Sequence, residues 1–260
     1  ANAIGGAINL KLKEAPAGLH YDVRLQGGYN GLNEEFKNYL VAGHISNRFL
    51  QNKIGLRVNF NQEQVDRSSH QLRASYGVLG PKSDVATNTV QLRNQQEDRT
   101  RSGAGIVLDF KSPNHTYLLN AIFSSTVRDY VQREDSYGVS LGRRYSRVRH
   151  NRDYQTNMLS TAFRGENRLR FMTIDYNMSY IRTHREEPNQ RRWLFHRDGA
   201  FLPSVDEYSG IPGVLNHTNN NLAKTYWMDN DFRQRDAEET DLAGRLNLTV
   251  PYNLGSMISG

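Results

Sequence analysis

The sequence predicts an all-β fold, namely part of an antiparallel transmembrane β-barrel with about eight strands. Three observations predict it. Apolar and polar residues alternate with a period of two in several segments, and short and long connections alternate between those segments. No run of residues approaches the roughly 20 apolar residues that a membrane-spanning helix needs.

The alternation is clearest in residues 53–61, where Ile54, Leu56, Val58 and Phe60 have mostly polar neighbours. Because successive side chains of a strand point to opposite faces, this pattern predicts a strand with one apolar and one polar face. Three further segments show the pattern strongly, and four show it with Gly, Ala, Ser or Thr on the polar face. The strong segments are 21–29, 171–180 and 241–250, and the weaker ones are 38–46, 103–111, 116–127 and 157–164.

Short and long connections alternate between these segments, and we refer to this alternation as the parity of the connections. Short connections are predicted at 47–52, 112–115, 165–167 and 251–255, and long ones at 61–98, 128–153 and 182–239. Transmembrane barrels have short periplasmic turns and longer extracellular loops, so the parity favours a barrel over a sandwich. The connection at 30–36 is short where a long one is expected.

The composition fits a barrel better than a water-soluble globule. Hydrophobic residues make up only 37% of the chain, yet it contains 14 Tyr and 10 Phe. In a barrel only every second residue needs to face lipid.

The residue types present also limit the chemistry and the setting of the chain. The absence of cysteine excludes disulfides and thiolate metal sites. Aromatic residues lie near predicted strand ends, as at membrane interfaces: Phe110, Tyr117, Phe163 and Tyr252 by short connections, and Tyr29, Tyr39, Phe60 and Tyr180 by long ones.

The first thirteen residues contain a small-residue motif in which Gly5 and Gly6 are followed by a small residue, an aliphatic residue and Asn9. This motif, followed by an alternating strand, resembles the last strand of the plug domain in TonB-dependent outer-membrane receptors. The order of this segment, a linker at 14–18 and then alternating strands extends the resemblance over the chain. It divides the chain into the end of a plug and its linker at 1–18 and the first part of the barrel at 19–260.

The resemblance implies a receptor of the cell outer membrane that binds a scarce nutrient and imports it with energy supplied by TonB. The cargo is a siderophore, a glycan or a peptide, and the sequence leaves this choice open. The family's barrel has about 22 strands, so the resemblance implies that these 260 residues are a fragment. The segment that contacts TonB would lie upstream.

Aromatic and basic residues in the longest connection form the candidate ligand-binding site. Stacking on rings and hydrogen bonding to guanidinium groups suit a sugar, an aromatic chelate or a peptide. Aromatic residues also pack long loops onto themselves, and this alternative stays open. The candidates are Arg191, Arg192, Trp193, Phe195, Tyr226 and Trp227.

Other chemistry is less well supported by the sequence. A basic run at 143–152 suits the phosphates of lipopolysaccharide, whereas no recognised motif supports nucleic-acid binding. His184, Glu186 and Glu187 are close in sequence, but neighbouring arginines would repel a metal ion, so no metal site is predicted. The sequence shows no catalytic constellation and no phosphate-binding loop, so neither an enzyme nor a cofactor is expected.

Two alternative functions share the strand pattern. A passive porin-like barrel would lack the plug, and the motif at 1–13 argues against it. A soluble β-rich carbohydrate-binding protein would bury the apolar face of each strand against a second sheet. The parity of the connections argues against this second alternative.

Overall fold

The computed structural model describes residues 14–79, 84–138, 144–197 and 224–251, and it is all-β. Nine antiparallel strands form one sheet within these residues. This confirms the predicted fold class at the level of an antiparallel β-sheet protein. The strands are β1 (His20–Asn30), β2 (Glu35–Phe49), β3 (Ile54–Asp66), β4 (Ser69–Leu79), β5 (Asp84–Lys111), β6 (His115–Gly138), β7 (Arg144–Arg168), β8 (Thr173–Arg197) and β9 (Tyr226–Thr249).

The sheet is eight strands wide because β3 and β4 lie end to end along β5. The order is β1-β2-β3-β5-β6-β7-β8-β9, and β4 pairs with β5 beyond the end of β3. All neighbours in this order are consecutive or nearly consecutive in the chain, as in a meander. The eight predicted segments therefore each fall in one position of the sheet. The sheet is open within the described residues, and β1 and β9 are its edge strands.

The three long connections predicted as loops are mostly strand, and this part of the prediction is wrong. Strand β4 lies within 61–98, and the pairing of β6 with β7 continues through 128–153 as far as Gly138 and Arg144. Strands β8 and β9 similarly extend into 182–239. The extensions carry polar residues on both faces, so they lack the apolar alternation from which strands were predicted.

The register of the sheet gathers most of the large apolar residues of all eight positions on one face. Directly paired residues share a face, and one such row runs Ile45, Val58, Ile106 and Ala121 across β2, β3, β5 and β6. We call this side the apolar face, the opposite side the polar face, and the apolar stretches of the individual strands on the apolar face, taken together, the apolar band. The large side chains of the band include Val23, Leu25, Ile45, Leu56, Phe60, Leu108, Leu119, Phe123, Phe163, Met178 and Leu246.

A row of aromatic rings borders the apolar band on the side of the short turns. Phe110 and Tyr117 have ring centroids 5.9 Å apart, Tyr117 and Phe163 6.4 Å, and Phe163 and Tyr176 5.8 Å. Gly165 makes this row possible, because a Cβ there would lie 2.3 Å from the ring of Tyr176. The row contains three of the four aromatic residues predicted beside short connections, and Tyr252 lies outside the described residues.

The exposure of neighbouring side chains indicates that the sheet curves towards its polar face at the level of the band. Ser46 and Asn120 on the polar face are 2% and 8% exposed, whereas their chain neighbours Ile45 and Leu119 on the apolar face are 52% and 43% exposed. Curvature crowds the side chains of the concave face and spreads those of the convex face. The apolar side chains are therefore on the outside of the curve.

Four aspartates lie directly opposite one another on the apolar face beyond the band. Asp66, Asp98, Asp129 and Asp153 form one row across β3, β5, β6 and β7. Burial raises the pKa of Asp98 above the usual range, and the neighbouring carboxylates add to this effect against the opposing attraction of Lys37. Burial and Asp129 likewise raise the pKa of Asp153. Opposed like charges destabilise a sheet, so this row weakens the pairing of the extensions at neutral pH.

Replacing Asp98 by Asn is expected to stabilise the ladder around this row by roughly 1 kcal/mol, because it removes two opposed like-charge pairs. A raised folded-state pKa means that the penalty is present at neutral pH and disappears as pH falls below the carboxyl pKa. Hydrogen exchange of β5 and β6 amides measures the effect, which should vanish in acid. The control is Asp22→Asn, because Asp22 pairs with His44. Equal exchange in both variants and the parent at neutral pH would contradict this account.

Candidate functional site

An ion pair on the polar face ties the segment before β1 to the sheet. Arg48 and Asp109 approach within 2.6 Å, and their side chains are 8% and 1% exposed. The same guanidinium donates from Nη1 to the carbonyl oxygen of Ala15 at 2.9 Å and from Nε to that of Asn52 at 2.9 Å. Lys111 also pairs with Glu14. We call Arg48, Asp109 and Ala15 the linker clamp.

The local sequence creates the space and the carbonyl groups that the linker clamp uses. Arg48, Gly55 and Asp109 are neighbours in one row of the sheet. A Cβ on Gly55 would lie 2.2 Å from Oδ1 of Asp109, so the ion pair occupies the room left by the missing side chain. The adjoining turn has left-handed backbone at Leu50, Gln51 and Asn52, which turns the Asn52 carbonyl towards Arg48.

Further along the polar face, three guanidinium groups surround one tyrosine ring. Arg128, Arg152 and Arg185 lie 4.9, 5.5 and 5.2 Å from the ring centroid of Tyr154. We call these four residues the arginine cluster. Two carboxylates partly neutralise it, because Glu97 lies 2.6 Å from Arg128 and Glu187 lies 2.6 Å from Arg185.

The charge of the arginine cluster stays positive at neutral pH. Glu187 is 1% exposed; burial alone would raise its pKa, but Arg152 and Arg185 hold the pKa below the usual range, so the carboxyl is ionised. Three guanidinium groups against two carboxylates leave one net positive charge. Guanidinium groups beside an aromatic ring suit anionic or planar groups of a ligand.

Beyond the arginine cluster, an irregularity in the pairing of β8 at Pro188 determines which face of the sheet each of residues 190–197 lies on. Proline has no N–H group to donate to the neighbouring strand, so the pairing shifts there.

The six residues predicted to bind a ligand lie on β8 and β9 rather than in a loop. The structure divides them between the faces. Arg192 and Tyr226 face the polar side, where Arg192 pairs with His150 and Tyr226 with His196. Arg191, Trp193 and Phe195 face the apolar side, and Trp227 pairs with Phe195.

On the apolar side, Phe195 lines a shallow depression of about 810 Å³ between the strand extensions. Arg149, which also lines it, lies over Trp193 at 5.8 Å. Arg147 in turn holds both carboxylate oxygens of Asp135, at 2.7 and 3.0 Å. The depression therefore offers an aromatic ring beside guanidinium groups, of which that of Arg147 is already paired.

Phe232 is not among the residues predicted from the sequence, although its pairing with Arg191 brings it beside them. The guanidinium of Arg191 lies over the Phe232 ring at 5.2 Å. Residues 229–233 show no alternation that would single out Phe232, because its neighbours on both faces are polar, so only its pairing with β8 places it at the site. The plug-end residues Gly5, Gly6 and Asn9 lie outside the described residues.

Comparison of the chain with known protein families, with curated proteins and with solved structures finds no match. In the described ranges no helix is long and apolar enough to cross a membrane. The register, the two faces and the buried ion pairs are therefore the observations that bear on function.

Replacing Arg48 by Met is expected to destabilise the fold by about 3–5 kcal/mol, because it leaves the buried Asp109 carboxylate without its partner. The linker should also lose its anchor. Urea unfolding measures the first effect, and hydrogen exchange at residues 14–18 measures the second. Arg57→Met, on the polar face of the same hairpin, is the control. A linker that stays as protected in Arg48→Met as in the control would disprove the clamp.

Proposed function

We propose that this chain forms part of the wall of an outer-membrane β-barrel, and that the barrel is a TonB-dependent receptor that imports a scarce nutrient. The observation that carries the proposal is the apolar band. It crosses all eight positions of the sheet on the convex face, while polar residues and a smaller number of apolar ones share the concave face. This arrangement of lipid-facing and lumen-facing residues is typical of outer-membrane barrels.

The height of the band covers about two thirds of the apolar layer of known outer-membrane barrels. In β3 it extends from Ile54 to Phe60, and in β6 from Tyr117 to Phe123. Seven residues at about 3.4 Å each span roughly 20–24 Å along the strand, or about 15–18 Å across a membrane at a strand tilt of about 40°, against an apolar band of about 25 Å in known barrels. The aromatic row at one border of the band supports a membrane interface at that level.

The soluble alternative requires a second layer over the apolar face. Within the described residues no layer covers the band, and Leu25, Phe60 and Met178 are 73%, 49% and 57% exposed. A patch of this extent marks an interaction with lipid or with another protein surface. Lipid is the simpler partner, because the band continues across all eight positions of the sheet.

The linker clamp favours a plugged receptor over a passive porin. Arg48 holds Ala15 on the polar face, so the chain enters the sheet from the side that would form the lumen. A preceding plug domain would then be directed into the barrel. An open sheet eight strands wide needs further strands to enclose a plug, as the family's barrel of about 22 strands supplies.

The two faces suit different partners. Arg192, Tyr226 and the arginine cluster lie on the polar face, where a siderophore, glycan or peptide would pass. Arg149, Arg191 and Trp193 lie on the apolar face beyond the band, where the sugars and phosphates of lipopolysaccharide surround a barrel. We assign nutrient contacts to the first group and outer-leaflet contacts to the second, with TonB acting on a segment upstream.

A charge in the middle of the apolar band should destabilise the membrane-inserted protein, whereas the same charge on the polar face should not. Leu119→Arg, in the middle of the band, is expected to destabilise the inserted protein by about 2–4 kcal/mol. The matched control is Ile122→Arg, on the polar face of the same strand and 37% exposed against 43% for Leu119. Folding into lipid vesicles, followed by denaturant titration, gives both values. Equal losses in the two variants would contradict the assignment of the faces.

In cells, uptake should depend on the polar-face residues. A strain that lacks the gene is tested with a panel of ferric siderophores, glycans and peptides, and the substrate whose uptake the full-length gene restores is used for the variants. Arg192→Ala with Tyr226→Ala is expected to lower uptake about tenfold, as loss of central contacts does. Arg191→Ala with Trp193→Ala is the matched pair on the apolar face. The reverse order of effects would refute the assignment, and no restored substrate in a strain with functional TonB would refute the receptor.

A further inference from the structure

We propose that His184, Glu186 and Asp236 bind one divalent transition-metal ion of the zinc class on the apolar face, beyond the apolar band. The proposal rests on side-chain geometry and is independent of the transport function. His184 and Glu186 are two residues apart on β8 and therefore share a face. Asp236 lies directly opposite Glu186 on β9.

The three side chains already converge on one point. Nε2 of His184 lies 2.8 Å from Oδ1 of Asp236 and 3.5 Å from Oε1 of Glu186. All three ligand atoms lie within 4.8 Å of one another. Two ligand atoms that are each about 2.1 Å from the same ion stand about 3.0–3.4 Å apart, so small rotations of exposed side chains complete the site.

The objection raised by the sequence, that neighbouring arginines would repel a cation, does not hold in the structure. Arg185 faces the polar side, where it pairs with Glu187 at 2.6 Å and contacts the ring of Tyr154. Arg182 shares the face of His184, but it pairs with Glu238 at 2.9 Å.

The charge around the three ligands is therefore negative. Glu186, Asp236 and Glu238 carry three negative charges against the one positive charge of Arg182. On the adjoining strand β7, His184 pairs with Asn157 and Glu186 pairs with Gln155, so the side chains directly opposite them there are uncharged amides.

The ligand types select the class of metal. One imidazole nitrogen and two carboxylate oxygens suit Zn²⁺ and its neighbours in the first transition series, whereas Ca²⁺ and Mg²⁺ prefer oxygen ligands alone. Three protein ligands leave at least one coordination position for water or for a donor group of a bound molecule. Three protein ligands with an open fourth position are typical of open zinc sites, whereas closed structural sites have four protein ligands.

A calorimetric titration of the chain in detergent with Zn²⁺ as the sole metal ion tests the proposal. We expect one ion to bind in a way that excess Mg²⁺ does not suppress, and His184→Ala and Asp236→Asn each to weaken binding at least about tenfold. The controls are His44→Ala and Glu239→Gln, which lie on the polar face and should bind as the parent does. Circular dichroism checks that all four variants keep their strands, as exposed substitutions should.

Absorption of bound Co²⁺ provides a second readout, because its visible bands report directly on the ligands. The bands should require His184. The absence of Zn²⁺ binding, suppression by Mg²⁺, or equal binding by His184→Ala and His44→Ala would each overturn the proposal. None of these results would bear on membrane insertion or nutrient uptake, which are measured on other residues.

Discussion

The pairing register of the sheet is the constraint on which the rest of the structure depends. Strand side chains have a period of two, so a slip by one residue at any pair would move that strand's apolar side chains to the polar face. The pairing instead holds Ile45, Val58 and Ile106 in one row, and continues without irregularity from β2 through β6. Irregularities occur at the first hairpin, within the β4 pairing and in the extensions of β7, β8 and β9, away from the band.

Once the register has placed the polar residues on the concave side, curvature forces them together, and they must satisfy one another. Arg48 with Asp109, Arg99 with Glu63 and Arg185 with Glu187 do so through ion pairs that are partly or wholly buried. Such pairs contribute little net stability, but the loss of one partner is costly. They therefore specify how the linker and the neighbouring strands fit, and they leave guanidinium groups along the surface that we assign to the nutrient.

The strands of the apolar band could be predicted from the sequence, whereas the strand extensions could not, and the reason is physical. Residues 53–61 alternate because one face meets an apolar surrounding, and the structure confirms β3 there. Residues 128–138 and 144–153 have polar residues on both faces, and only backbone pairing shows that they are strand. The candidate site was still harder to predict from the sequence. The irregularity at Pro188 moves the even-numbered residues of β8 from the apolar face to the polar face beyond that point. The facing of Arg191 and Arg192, and the approach of Asp236 to His184, depend on pairings between distant segments that local periodicity does not contain.

The most direct test of the central claim is a spin-label scan of β6 in lipid vesicles at residues 118–123. The chain has no cysteine, so each position can be labelled singly without removing another thiol. Collision with oxygen reports lipid and collision with a water-soluble nickel complex reports water. We expect Leu119, Ala121 and Phe123 to favour oxygen relative to Leu118, Asn120 and Ile122, with a period of two. Uniform access of nickel to all six positions would contradict a lipid-facing band.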